Sequence, residues 1–163
     1  TATVTKYAKA RQSIRSGDVL AWSHRGLRSW YDLKVWLVRL FTRSEYTHVG
    51  IAWVVGRRVF ILEAVGSGVR IFPLSLELPF YHLSWAALTE EQLEFALSKA
   101  GQEYSYIECI AAFLSKNDST NALWQCAEYV CAVHRLKSVA TPSAVVEHLL
   151  SNGATLKKVG RDE

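Results

Sequence analysis

The sequence contains no methionine, three cysteines and three prolines in 163 residues. So few prolines exclude a Pro-rich or collagen-like segment. Three cysteines, an odd number, exclude a disulfide scaffold, and uncrosslinked thiols fit synthesis in a reducing compartment. Delivery to a phage particle or the cell envelope stays open. No apolar run approaches the roughly 20 residues of a membrane-spanning helix. No signal peptide is visible, and without methionine Thr1 is expected to follow a removed initiator. The chain also lacks a Walker loop, a GxGxxG fingerprint, an HExxH zinc motif and a GxSxG elbow. No nucleotide, metalloprotease or serine-hydrolase reading has support, and no cofactor is expected.

What is present describes a globular chain. Half of the residues are hydrophobic and 21% are charged, which excludes disorder and supports a core. The length suits a single domain over 1–163. The net charge of +4 is unevenly spread. Residues 1–43 hold nine Lys and Arg against Asp18 and Asp32, and the remainder is net acidic. A basic front end suits an anionic surface, although a solvated basic face is the commoner use of such charge.

Residues 1–15 read as a polar, partly helical arm. Ser16-Gly17-Asp18 reads as a turn and Val19 to Trp22 as a short strand. Trp30, Leu33, Leu37, Leu40 and Phe41 fall at helical spacing and predict a helix over 29–43. Strands are expected at Val49 to Val55, Arg58 to Val65, Val69 to Leu74 and Tyr81 to Ala86. Gly56-Arg57 suits a two-residue type II′ hairpin turn, which takes Gly at its first central position. Thr89 opens a capping pattern for a helix ending near Ala100. Further helices are expected over 105–115, near 123–137 and from Thr141-Pro142, with a last edge strand at Ala154 to Val159. Strands first and helices afterwards predict an α+β fold, a small antiparallel sheet packed against helices.

Two residues interrupt this pattern. His48 opens an apolar strand, and Glu63 sits inside another, where an unpartnered carboxylate is costly. With Gly56-Arg57 as the turn, paired positions sum to 113, so Gly50 faces Glu63 and His48 faces Val65. His48 and Glu63 then share a face as diagonal neighbours, and a one-residue slip would separate them. Gly50 is expected to leave room for their approach. A His oriented by a carboxylate is half of a nucleophilic triad. Cys126 is the candidate nucleophile. It follows the capping residues Ser119, Thr120 and Asn121 and is expected in an early helical turn, where the positive helix end favours a thiolate. Cys109 and Cys131 read as core residues.

Each residue also has a plainer use. A strand-leading His is commonly structural, a buried Glu can bind a backbone amide or an Arg, and a Cys can be a small core residue. The combination with the register is what points to a triad. The reading fails if the three groups lie apart or if the sulfur is sealed in hydrocarbon. Cys126, Cys131 and His134 match no standard zinc spacing, so no metal is expected.

At these residues the chain resembles a known group. The ordered motifs are Ser16-Gly17-Asp18-Val19-Leu20, Ser44 to Ile51 (SEYTHVGI), Phe60-Ile61-Leu62-Glu63-Ala64, Gly68-Val69-Arg70-Ile71, Gly101 to Ser105, Cys126-Ala127-Glu128-Tyr129-Val130 and Thr141-Pro142-Ser143. Together they resemble the circularly permuted papain-like cysteine amidases of the NlpC-type superfamily, of YiiX-like type. The resemblance implies a permuted papain-like core, with Cys126 as nucleophile, His48 as general base and Glu63 as the orienting residue. It implies cleavage of amide bonds in a peptide substrate such as peptidoglycan, or lipid acyl hydrolysis or transfer in related branches. Ala127, where relatives often have Ser, and the Trp- and Arg-rich helix over 29–43 depart from the pattern. Trp30 and Trp36 of that helix could stack on a sugar or touch lipid, and Arg25 and Arg28 just before it, with Arg39 and Arg43, could bind an anionic membrane, although packing its apolar stripe on the core is the commoner use. No nucleic-acid module is recognisable. A non-catalytic component of a larger assembly, such as a phage particle, is the third class.

Overall fold

The computed structural model describes residues 4–23, 46–65, 68–101, 121–137 and 141–162, without the side chains of 121–125. The helices expected over 29–43 and 105–115, and Cys109, lie outside these residues.

Two segments build the centre of a sheet because they are apolar on both faces. β2 (Val19–Trp22) is buried at all four positions, as a short uninterrupted apolar run should be. β3 (His48–Val55) pairs with it on one side and with β4 (Arg58–Val65) on the other. The remaining strands are β1 (Thr5–Lys6), β5 (Gly68–Pro73), β6 (Phe80–Leu83) and β7 (Leu156–Gly160). Their order across the sheet is β1-β7-β6-β2-β3-β4-β5. The fold is α+β, as expected, but the sheet is neither small nor wholly antiparallel. Among the described residues it has seven strands, and β1 runs parallel to β7. The last strand is therefore an interior strand between β6 and β1, not an edge.

Each sheet face has its own apolar cluster. On one face Val19, Ala21, Val49, Ile51, Leu62 and Ala64 pack against three helices. These are α2 (Glu90–Ser98), α3 (Asn121–His134) and α4 (Pro142–Ser151). On the other face Leu20, Trp22, Ala52 and Ile61 meet Ile14, Leu74, Phe80 and the residues Tyr7 and Ala10 of the short helix α1 (Tyr7–Ala10). The N-terminal arm is thus a two-residue strand followed by one helical turn.

The local signals acted as expected. Thr89 and Gln92 form a capping box at α2, and Thr141 caps α4 with Pro142 in its first turn. α3 stops at His134, short of the expected 137, because Arg135 turns left-handed (φ 55°) and Leu136 N–H bonds back to the Cys131 carbonyl.

The β3–β4 hairpin positions the site. Gly56 has φ 60°, as a type II′ turn requires at its first central residue. Val55 pairs with Arg58 and Ile51 with Leu62, the register deduced from the turn. Gly50 has a different use from the one expected. A Cβ there would lie 2.6 Å from Ile61 Cδ1 and 3.0 Å from the Leu62 carbonyl oxygen, so the missing side chain makes room for β4 itself. Ile61 is fully buried and cannot swing aside. Gly50→Ala is expected to destabilise the protein by about 1–3 kcal/mol through overpacking. Urea unfolding would measure this as a lower midpoint at unchanged slope.

Candidate active site

The site begins where β3 begins. Thr47 N–H donates to the Trp22 carbonyl (2.8 Å), and Tyr46 N–H donates to Ser143 Oγ at the start of α4 (3.0 Å). These bonds fix the backbone entering His48. Trp22 stands opposite His48 in the ladder, and the two rings lie 5.3 Å apart between centroids. The indole N–H donates to the Glu77 carbonyl (2.7 Å). One face of the imidazole is therefore held by a ring that is itself anchored.

Glu63 has no exposed surface. Its Oε2 lies 2.6 Å from His48 Nε2, so the diagonal pair expected from the hairpin is formed. Its Oε1 accepts from Arg70 Nε at 2.7 Å. Arg70 is the cross-strand partner of Glu63 in the β4–β5 ladder. The guanidinium also reaches Glu77 Oε1 (3.0 Å) and lies over the Phe72 ring, 4.2 Å from its centre. Sequence reading weighed an Arg as an alternative partner for Glu63; the carboxylate has both. It did not single out Arg70. The signal was the strand Gly68 to Ile71, but its register against β4 depends on a turn with no clear type.

Cys126 adjoins His48 closely enough to act on its ring as a partner. Since Nε2 is engaged by Glu63, Nδ1 is the ring atom left for the sulfur. The three candidate residues therefore meet, from β3, β4 and α3. The expected help from the helix end needs correction. α3 is described from Asn121, so Cys126 lies beyond the first turn, where the helix dipole would act strongly. Its own N–H falls within the i to i−4 ladder and is not a free oxyanion donor. Cys126 is also fully buried in the apolar cluster under α3, so its sulfur is covered, but His48 adjoins it and it is not sealed in hydrocarbon alone. Solvent reaches the network from the other end: the His48 side chain is 14% exposed and that of Arg70 36%.

The charges are coupled. Burial alone would pull His48 down, but hydrogen bonds to Cys126 and Glu63, and the charges they carry, push it up to about 9. Burial opposes the charge on Glu63 as well, yet His48 and Arg70 hold its carboxyl below the usual range. The pair is thus an imidazolium facing a carboxylate at neutral pH. The sign for stability follows. A His raised from 6.5 to about 9 contributes stability that is complete below pH 6.5 and is lost as pH rises through 9. Unfolding free energy is expected to decline over that interval. Ring-proton NMR of His48 should show one titration near its upper end, and a midpoint near 6.5 would overturn the assignment.

A second acid–imidazole pair lies at the other end of β2, and sequence reading missed it. Asp18 Oδ2 accepts from His82 Nε2 (2.7 Å) and from the Arg15 N–H (2.9 Å), and Oδ1 accepts from the Trp85 N–H (3.0 Å). His134 Nε2–H donates to the Gly17 carbonyl beside it (2.7 Å). These bonds tie the Ser16–Asp18 turn to β6, to the segment after it and to the end of α3. Their partners are remote in sequence, so no local spacing announces them.

No family model matches the chain, and no curated relative matches it. It is similar in structure to the metalloprotein yiiX from Escherichia coli O157:H7, DUF1105. That match has a TM-score of 0.51 at 16% identity and covers 91% of this chain and 97% of the other. It shows a shared fold. The residues at the site here do not suit a metal ion. Both Glu63 oxygens are taken, one by a guanidinium, and His134 Nε2 is turned to a carbonyl. Among the described residues no group of three or more His, Cys, Asp or Glu is arranged to hold a metal.

Proposed function

We propose that this chain is a cysteine-dependent hydrolase of permuted papain-like, NlpC-type architecture that cleaves amide bonds, with peptidoglycan peptides as the substrate class. One observation carries the reading: Glu63 and His48 are joined by a 2.6 Å hydrogen bond and Cys126 adjoins the same ring, so the three side chains converge from separate elements. In the proposed cycle the Cys126 thiolate attacks the amide carbonyl carbon and forms a tetrahedral intermediate. His48 gives its proton to the leaving nitrogen as the C–N bond breaks, leaving a thioester. His48, now neutral, takes a proton from water, whose oxygen attacks the thioester. The second tetrahedral intermediate collapses as its C–S bond breaks, which releases the carboxylic acid and the thiolate and so restores the imidazolium–thiolate pair. Glu63 keeps the ring oriented and steadies its charged form. The buried sulfur adds a requirement: its cover must shift before a carbonyl can reach it.

That burial is also the observation favouring a second reading, a non-catalytic component of a larger assembly that keeps the fold. Alkylation with iodoacetamide and mass-spectrometric site assignment decides between them. The first reading expects Cys126 to react faster than Cys109 or Cys131. A Cys126 that stays unmodified while the others react would overturn it. If Cys126 labels, the unmodified protein is assayed next: release of peptides from peptidoglycan supports the amide reading, and release of fatty acid from phospholipid vesicles replaces it with lipid acyl chemistry.

A further inference from the structure

We propose that Arg70 is a positioning residue for this reaction: by clamping Glu63 Oε1 against Glu77, it fixes the direction in which Oε2 meets His48. The proposal rests on reading Cys126, His48 and Glu63 as a triad, and it extends that triad by two residues. A carboxylate on a flexible side chain can rotate and present either oxygen. Here one oxygen is spent on Arg70 (2.7 Å), so the other is committed to the imidazole (2.6 Å). Arg70 is fixed in turn. It sits opposite Glu63 in the ladder, stacks on Phe72 and reaches Glu77 Oε1 at 3.0 Å. Glu77 also accepts from Trp22, whose ring lies against His48. Both restraints on the imidazole, at Nε2 and over one ring face, therefore trace back to Glu77. The segment after β5 acts as a common anchor for the two.

Charge supports the same role. The charged or titratable groups around Glu63 among the described residues are His48 on β3, Arg70 on β5, Glu77 beyond it and, through His48, Cys126 on α3. A fully buried carboxylate with a single cationic partner is easier to protonate than one with two. Arg70 also divides the pull of Glu63, so His48 is not held so tightly by one anion that it resists giving up its proton. Removing this cation raises the titration of both groups.

The test uses Arg70→Met, which keeps bulk and removes charge, and Arg70→Lys, which keeps charge and loses the planar fork. The first readout is ¹³C NMR of the Glu63 carboxyl and of the His48 ring across pH, which needs no turnover. In Arg70→Met both titrations are expected to move up, that of Glu63 by about one unit or more. Arg70→Lys should fall between this variant and the native protein. The second readout is steady-state hydrolysis. A loss of about 10–100-fold in kcat with KM within about twofold is expected for Arg70→Met, as for other partners that orient a reacting group, with partial rescue by Lys. An unmoved Glu63 titration in either folded variant overturns the proposal, as does a kcat within about twofold of native. If the native protein proves inactive and Cys126 inert, the triad reading falls, and the NMR arm still decides whether Arg70 governs Glu63.

Discussion

Cys126→Ala is expected to abolish hydrolysis, a loss of at least about a thousand-fold in kcat, while the protein stays folded. The magnitude follows from the mechanism. Without sulfur there is no thioester, and the remaining groups can only polarise bound substrate. The fold should survive because Ala fills most of the same site in the apolar cluster beneath α3, at the modest cost of one lost heavy atom. Circular dichroism and thermal melting provide that control. His48→Ala should cost about as much as Cys126→Ala, because members of a catalytic unit are not additive. Glu63→Gln should cost less, since it retains a side chain that can hydrogen-bond the ring. Residual turnover in Cys126→Ala well above the uncatalysed rate would exclude the cycle proposed for this site.

The largest expected effect on stability lies at Asp18, away from that site. Its carboxylate accepts from two backbone N–H groups and from His82. Asp18→Ala leaves all three donors unsatisfied in a buried place and is expected to cost about 3–5 kcal/mol. Asp18→Asn keeps the shape but loses charge, and its amide can accept through one oxygen, so its cost should be smaller. Burial opposes ionisation of Asp18, but the hydrogen bonds to His82, Arg15 and Trp85 outweigh it and hold the group below 3.8. The stability it contributes is present above pH 3.8 and is lost as pH falls through the lower folded value. Urea titrations from pH 7 downward should show this acid-side loss in the native protein and a shallower one in Asp18→Asn. An Asp18→Ala variant within about 1 kcal/mol of native would mean that water replaces the carboxylate at little cost.

Residues of this chain show why some of the structure was legible beforehand. A hairpin with Gly56-Arg57 at its tip fixes every cross-strand pair by arithmetic, so His48 and Glu63 were brought together from sequence alone. Thr89, Thr141 and Pro142 act within one turn of themselves, and their helices start where expected. The errors arose where contacts join distant segments. Thr5 pairs with Val159 and His82 reaches Asp18 across the sheet, and nothing near any of these residues signals its partner. Arg70 was hidden by an uncertain turn. Cys126 was expected in an early turn on the strength of the capping residues before it, but Asn121, one of them, is already helical, so the sulfur lies beyond the first turn.

The pairing of β1 with β7 brings opposite parts of the chain side by side. Thr5 lies against Val159, and the Ala8 N–H donates to Asp162 Oδ1 at 2.9 Å. A short peptide tether would span such neighbours, and the exposed tip at Gly56-Arg57 is a natural place to cut. A gene rearranged in this way would have the carboxylate strand, then the thiol helix, then the imidazole strand in its product. The same sheet could be rebuilt from a different starting point, so the order of the three proposed triad residues along the chain is separate from how their strands and helix fit together.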